Sequence, residues 1–406
     1  MEVGKLNAVG VVVEYNPFHN GHMFHLNQAK NMTNADLTIG VMSGNFLQRG
    51  EPALVDKWTR TAMALKGGLD LVVELPFVHA VQKAEIFAEA SILILEEMGC
   101  KWFCFGSEEG NINPFIETSS ILSAHQIEVD KLIKQFISKG YSYPKASALA
   151  YQEIKSDYPE ILSLNQPNNI LGYHYVSTVM KHQLAIEPLT IKRTGSGYHD
   201  LSLTGEIASA TGIRKEILEN ENLEGVASFI PTSTLNELEN YFREKQILHS
   251  WQQYWPLLRF KLISTPASVL ANIYEMKEGL ENRLIHAAEQ ATSFQGFMEA
   301  VKTKRYTWTR IQRILTYVLL NATKEEMTTD TAPPYLRILG FTGRGQQYLQ
   351  SIKKEKRHSL ITRLAGSAHP LLDMDKRATA VHSAVLQPEM AAAAISREYR
   401  PPIILM

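Results

Sequence analysis

From residue 8 to 15 the chain reads AVGVVVEY, an apolar run rich in β-branched residues. That is the pattern of a strand buried on both faces of a parallel sheet. The pattern returns at 37–42, 69–75 and 102–105, and helical periodicity fills 22–32, 57–66 and 85–98 between these runs. Strand and helix in strict alternation predict a doubly wound, parallel-sheet α/β domain. The alternation weakens over 113–158, which reads as a helical insert, before a further strand at 187–192 and a helix at 212–220. The first domain therefore spans 1–230. Helical periodicity dominates afterwards, at 236–244, 267–276, 280–291 and 310–320, so residues 231–330 form a helical domain. A small mixed carboxy-terminal segment, 331–406, follows the pair Pro333-Pro334, and no internal repeat or low-complexity linker interrupts the chain.

Composition narrows the class. A chain of 406 residues exceeds one ordinary core. Apolar and charged shares of 45% and 20% are those of globular proteins. No run is long and apolar enough to span a bilayer, and the first residues lack the basic start and apolar stretch of a secretory signal, so the expected location is the cytoplasm. Cys100 and Cys104, four apart in a strand-like run, would lie about 13 Å from each other, beyond disulfide reach. They read as packing residues. The net charge of −1 conceals an asymmetry: residues 300–365 hold 13 Lys and Arg against 4 Asp and Glu, a surplus of nine, whereas the remainder holds 28 against 38. A basic end beside an acidic one fits a polyanionic partner docking on one side.

The most informative residues follow the first strand: Glu14-Tyr15-Asn16-Pro17-Phe18-His19-Asn20-Gly21-His22. In an open α/β sheet this loop is where ligands bind, and a helix beginning at His22 would aim free N–H groups and its positive end at a phosphate. Gly21 lets the backbone approach closely, and the imidazoles of His19 and His22 can donate to oxygens as charge builds on the α-phosphate. Metal ligation by His19, His22 and His25 is the weaker reading, because no acidic or cysteine ligand accompanies them nearby. A second element, Ile207-Ala208-Ser209-Ala210-Thr211-Gly212-Ile213-Arg214-Lys215, places capping hydroxyls ahead of a helix, with Arg214 and Lys215 adding charge one turn in.

Together these two elements resemble the HxGH and ISSTxIR signatures of the nucleotidyl-transferase superfamily, which implies a HUP-like domain followed by a mainly helical carboxy-terminal region. The resemblance tightens over VVVEYNPFHNGH (11–22), MSGNFLQRGEPA (42–53), DLVVELPF (70–77), FGSE (105–108), QPNNILGYHY (166–175) and KRTGSGYHD (192–200), which look like the tRNA(Met) cytidine acetate ligase family. What that implies is an enzyme that condenses acetate with ATP, with Mg²⁺, to acetyl-adenylate and pyrophosphate, then acetylates N4 of the wobble cytidine of elongator tRNA(Met). The resemblance carries ATP contacts onto Val12, Val13, Glu14, Tyr15, Asn16, Pro17, Phe18, His19, Asn20, Gly21, His22, Met23, Phe24 and His25, and onto Gly106, Asn168, Arg193 and Thr194. His19, His22 and Arg214 are the expected catalytic groups. Gly212 departs from the superfamily pattern, where a less flexible residue is expected, and this puts in doubt how rigidly Ile213 and Arg214 are held.

Other polar positions have two readings. Gln48, Arg49 and Glu51 follow the second strand and so border the site, with Arg49 either on an anion or paired with Glu51. Asp56, Lys57 and Arg60 read as part of that border or as a solvated first helical turn. Lys302, Lys304, Arg305, Arg310 and Arg313 surround Tyr306 and Trp308, a mixture suited to phosphate contacts and base stacking. A coenzyme-type adenylyltransferase would explain the phosphate motifs equally well, but not the further helical and basic region. An RNA-binding protein with a vestigial nucleotide fold would have lost the motifs.

Overall fold

The structure of the chain, a computed structural model, describes residues 6–193, 208–220, 222–277, 279–328, 333, 335–353, 359–364 and 369–406. Alternation begins at once, with β1 (Ala8–Val13), α1 (Asn20–Thr33), β2 (Leu37–Ser43), α2 (Lys57–Lys66), β3 (Leu71–Leu75), the single turn α3 (Phe77–Ala80), α4 (Ala84–Glu97) and β4 (Cys100–Ser107). The helical insert is α5 (Asn113–Ala124), α6 (Gln126–Ser138), α7 (Tyr143–Asp157) and α8 (Pro167–His182), leading to β5 (Glu187–Lys192) and α9 (Ala210–Asn220). Strands β1 to β5 pair in parallel in the order β5-β4-β1-β2-β3. The chain thus leaves β1 for β2 on one side and returns to its other side at β4. That reversal opens a crevice beyond the carboxyl ends of β1 and β4. Every residue of β2 and β3 is buried, as their unbroken apolar runs require. Cys100 and Cys104 are buried in β4 as packing residues.

The first strand ends at Val13, where its register with β2 stops, and not at Tyr15. Tyr15 instead takes a left-handed φ of 49° and packs edge-on against Phe18, ring centroids 4.7 Å apart. Its apolar character serves the turn's own packing.

Beyond α9 the chain is helical: α10 (Thr232–Lys245), α11 (Trp251–Ser264), α12 (Ala267–Leu270), α13 (Leu280–Gln290), α14 (Phe294–Val301), α15 (Trp308–Leu320) and α16 (Lys324–Met327). Their core, around Trp251, Tyr254, Phe297, Ile314 and Tyr317, also takes in Phe46, Phe77 and Val78 of the α/β region. The helix expected over 267–276 stops at Leu270, because Ile273 bridges Thr323 and Glu275 takes a φ of 57° that no right-handed helix continues through.

The segment after Pro333 holds β6 (Tyr335–Thr342), α17 (Gly343–Ile352), β7 (Ser359–Ile361), α18 (Pro370–Ser383), α19 (Pro388–Arg397) and β8 (Ile403–Leu405). Its strands join the first domain's sheet: β6 lies antiparallel to β3, and β7 and β8 pair with β6. Among the described residues the sheet has eight strands and is mixed, parallel except at the β3–β6 pair.

Asp56 caps α2, accepting the Thr59 N–H at 2.8 Å. Lys57 and Arg60 do not form a solvated helical turn: they are 1% and 0% exposed. Lys57 Nζ lies 2.7 Å from Glu74 and 2.9 Å from Glu398, and Arg337 bridges the same two carboxylates at 3.0 and 2.7 Å. The Arg60 guanidinium donates to the carbonyls of Glu14 (2.7 Å), Ser43 (3.1 Å) and Gly44, which ties together the chain ends emerging from β1 and β2.

Candidate active site

At the switch point lies a cavity of about 520 Å³. The end of β1, the turn after it and the start of α1 supply Val12, Val13, Glu14, Tyr15, Asn16, His19, Gly21, His22, Phe24 and His25. The loop after β2 adds Leu47, Gln48, Arg49 and Glu51, the end of β4 adds Gly106, the start of α8 adds Asn168, and Arg193 follows β5. Ala208, Ser209, Ala210, Thr211 and Arg214 close it from α9 and the residues before it. Segments from both ends of the α/β region meet here.

The HNGH spacing becomes geometry through helix capping. His19 is the N-cap of α1, and its Nδ1 accepts the Gly21 N–H at 3.0 Å, while Nδ1 of His22 accepts the His19 N–H at 3.2 Å. N-cap and third helical position face each other, as in the usual Ser/Glu capping box. The two rings therefore stack, 3.7 Å between centroids. Because each Nδ1 accepts, the hydrogen-bond pattern assigns the ring proton to Nε2 in both, making each imidazole a donor on its far side. Burial, aided by the Arg193 and Arg214 charges, pushes His19 down to about 3, and burial with the neighbouring His19 and Arg193 holds His22 well below its ordinary value. His25 is pushed down to about 4 by burial and Arg193. At neutral pH all three are neutral.

The helix start itself differs from expectation. Its N–H groups are not free for a phosphate: Asn20 donates to the Phe229 carbonyl (3.0 Å), Gly21 to His19, and His22 (2.9 Å) and Met23 (3.2 Å) to the His19 carbonyl. What remains for an anion is the helix dipole and the two Nε2–H groups.

The cations are held differently. Arg214 NH1 donates to the Asn16 carbonyl at 2.9 Å and NH2 pairs with Glu51 at 3.4 Å. Ser209 caps α9 by accepting the Gly212 N–H at 3.0 Å, and Ile213 is fully buried, so Gly212 leaves Arg214 well anchored. The Arg193 guanidinium is exposed to the cavity and has no protein partner among the described residues. A Cβ on Gly106 would come within 3.3 Å of Arg193 Cγ, so the missing side chain makes room for the arginine stem. Asn168 Nδ2 donates to Glu108 Oε1 at 2.7 Å, and Glu108 Oε2 accepts the Asn169 N–H at 2.8 Å, anchoring the start of α8.

Four residues of the 12–25 stretch do not line the cavity. Pro17 and Phe18 are buried in the turn, where Phe18 fills the space left by Gly67. Asn20 reaches back to the Ser228 carbonyl at 2.9 Å, and Met23 is exposed. Thr194 and Ile207 lie outside the described residues. The apolar wall of Phe87, Phe105, Leu171 and Tyr175 carries no local signature in the sequence, because those side chains look like any buried face of α4, β4 or α8.

In the basic segment Lys302, Lys304 and Arg305 are exposed, but Tyr306 is 7% exposed and Trp308 packs on the helical core. Tyr306 thus belongs to the helical core, with Arg310 over its ring at 5.0 Å and its hydroxyl donating to the Lys277 carbonyl at 3.2 Å. Arg313 is buried and paired with Glu275 at 3.0 Å.

A family model described as HIGH Nucleotidyl Transferase matches residues 6–397. The chain is 44% identical over 401 residues to a tRNA(Met) cytidine acetate ligase of Lysinibacillus sphaericus, covering 98% of this chain and all of that one. It is also 44% identical over 400 residues to the Bacillus subtilis protein of the same name, covering 97% and 96%. A crystal structure of Thermotoga maritima TmcAL bound with alpha-thio ATP superposes with a TM-score of 0.90 at 32% identity, over 98% of this chain and all of that one. The apo form of the same protein gives 0.92 at 33% with the same coverage. With the nucleotidyl-transferase motifs assembled at one cavity and likeness running the length of the chain, this protein belongs to the tRNA(Met) cytidine acetate ligase family of HIGH nucleotidyl transferases.

Proposed function

We propose that the chain forms acetyl-adenylate from acetate and MgATP and passes the acetyl group to N4 of the wobble cytidine of elongator tRNA(Met), giving N4-acetylcytidine in the cytoplasm. The observation that carries this reading is the pair of neutral imidazole donors facing, with Arg193 and Arg214, one cavity at the switch point. The acetate carboxylate attacks the α-phosphorus, and the Nε2–H groups of His19 and His22 donate to oxygens on which charge builds. Arg193, free of protein partners among the described residues, and Arg214 receive the triphosphate and stabilise departing pyrophosphate. Gly106 and Asn168 border the adenosine side, beside the apolar wall. Mg²⁺ enters with the triphosphate.

The RNA surface belongs to the helical region 231–330 together with the 331–406 segment, and Lys302, Lys304 and Arg305 are among its exposed cations. Pyrophosphate release measured with and without acetate, and with and without tRNA(Met), tests the reading, followed by nucleoside analysis of the RNA. Acetate-dependent release and N4-acetylcytidine are expected. Release that requires a phosphorylated small molecule in place of acetate would favour a coenzyme-type adenylyltransferase.

A further inference from the structure

The two half-reactions differ in what they ask of protons. Acetate arrives as an anion and attacks phosphorus without losing one. Cytidine N4 is an amino group and must lose a proton as it attacks the acetyl carbon, so the second half-reaction needs a base within reach of the cavity.

Among the described residues the choice is narrow. His19 and His22 spend their Nδ1 lone pairs on backbone N–H groups, which leaves them donors only. Burial with the Arg193 charge pushes His25 down to about 4, and its Nε2 is sealed from solvent without a partner among the described residues. Burial holds the phenols of Tyr15 and Tyr175 protonated. Glu51 is paired with Arg214 at 3.4 Å. Glu14 is left. Its Oε1 accepts the Gln48 N–H at 2.8 Å, its Oε2 has no protein partner among the described residues, and the side chain lines the cavity.

The Gln48 contact does not require a carboxylate, although the Glu14 charge also faces the buried Arg60 guanidinium. A glutamine oxygen would accept the Gln48 N–H equally well. Glu51 in the same cavity is offset by Arg214, whereas the Glu14 carboxylate repels ATP and acetate, and that cost calls for a compensating role.

We propose that Glu14 is the proton acceptor of acetyl transfer. N4 attacks the acetyl carbonyl carbon, the C–O bond to the phosphate breaks with its electron pair leaving on AMP, and the N4 proton passes to the Glu14 carboxylate. The inference rests on the acetate-ligase reading above. Burial raises the Glu14 carboxyl above its ordinary range, the Glu51 charge adds to this, and the Gln48 N–H with Arg49 and Arg60 opposes it. The net shift brings the group closer to working pH, where a base is most effective.

The test compares acetate-dependent ATP–pyrophosphate exchange with single-turnover transfer from enzyme-bound acetyl-adenylate to tRNA(Met). In Glu14→Gln, transfer should fall by about 10²- to 10⁴-fold. Exchange should fall far less, and the acidic limb of the transfer pH profile should vanish. Glu14→Ala should regain part of its transfer rate with added formate, a readout that a merely structural role would not move. Equal loss in both half-reactions, or transfer by Glu14→Gln at the original rate and pH profile, would overturn the assignment, as would absence of formate rescue. If the unsubstituted chain showed no acetate-dependent exchange, the ligase reading itself would fall and take the assignment with it.

Discussion

At His22 a single ring does two things: it closes the cap of α1 through Nδ1 and offers Nε2–H to the cavity. His22→Ala removes one capping bond and one donor. Acetate-dependent ATP turnover should fall by about 10²- to 10³-fold. The thermal midpoint should move little, and turnover near the original rate would take this histidine out of the mechanism. Buried histidines also set the acid limit of the fold. Desolvation pushes His79 and His174 from 6.5 down to about 4, and His382 to about 3. A base whose folded pKa is depressed keeps its full contribution above the unfolded value. Below that value the unfolded chain takes up the proton first, so stability is lost as pH falls from 6.5 toward 4. Denaturant midpoints should therefore drop between about pH 7 and about pH 5. Among the described residues neither nitrogen of His79 has a hydrogen-bond partner. His79→Leu should hold or raise the midpoint at neutral pH and make the acid fall shallower by about 1.4 kcal/mol per pH unit. A parallel curve would show that His79 titrates normally.

One element links the cavity to the helical region. The loop after β2 that carries Gln48, Arg49 and Glu51 turns at Gly50, whose φ is 83°, directly against α15: a Cβ there would lie 2.5 Å from the Arg313 nitrogen. Thr316 Oγ1 on α15 donates to the Gly50 carbonyl at 2.6 Å, and Tyr317 OH donates to the Val81 carbonyl at 2.6 Å. Gly50→Ala meets both a left-handed backbone and a backbone clash that no rotamer relieves. It should cost about 1–3 kcal/mol, read as a lower denaturant midpoint. It should also raise the KM for ATP, because the displaced loop carries cavity residues; an unchanged KM would mean that the loop does not position them. The sequence pattern marked α15 as a helix within two residues of its observed start. Nothing in that pattern said which loop the helix would press against, since a buried helix face reads the same whatever covers it.

Across the whole molecule, Lys57 of α2, Glu74 of β3, Arg337 of β6 and Glu398 after α19 meet in one buried cluster, with Trp58 Nε1 donating to Glu398 at 3.0 Å. Lys57 and Arg337 hold the Glu398 carboxyl down to about 2. Glu398→Ala strands two buried cations and should cost about 3–5 kcal/mol by denaturant titration. A cost below about 1 kcal/mol would mean that water or Glu74 alone satisfies them. The surplus of positive charge in residues 300–365 is partly interior, because Arg313 and Arg337 are buried in ion pairs. Reversal of the exposed Lys302, Lys304 and Arg305 together should weaken tRNA affinity and flatten its salt dependence, while acetate-dependent exchange continues. Each RNA phosphate that no longer meets a cation takes about one released counterion out of the slope. Unchanged affinity and slope would put the RNA elsewhere.

By itself the sequence determined what local physics controls. Unbroken apolar runs specified buried parallel strands, and their alternation with helices specified the doubly wound order. The spacing of His19 and His22 put both rings at the turn after the first strand; that they face each other follows once the helix begins at Asn20, since an N-cap and the third helical position must face each other wherever the helix sits. Tertiary structure decided what depends on partners distant in the chain. It turned Lys57, Arg60, Arg313 and Tyr306 inward and brought β6 beside β3. It consumed the free N–H groups of α1, one of them on Phe229, and set Glu14 against the loop of Gln48. A charged or aromatic residue carries the same letter on a surface as in a core. Only the groups folded around it determine whether its charge is paired, spent on a carbonyl or left to act.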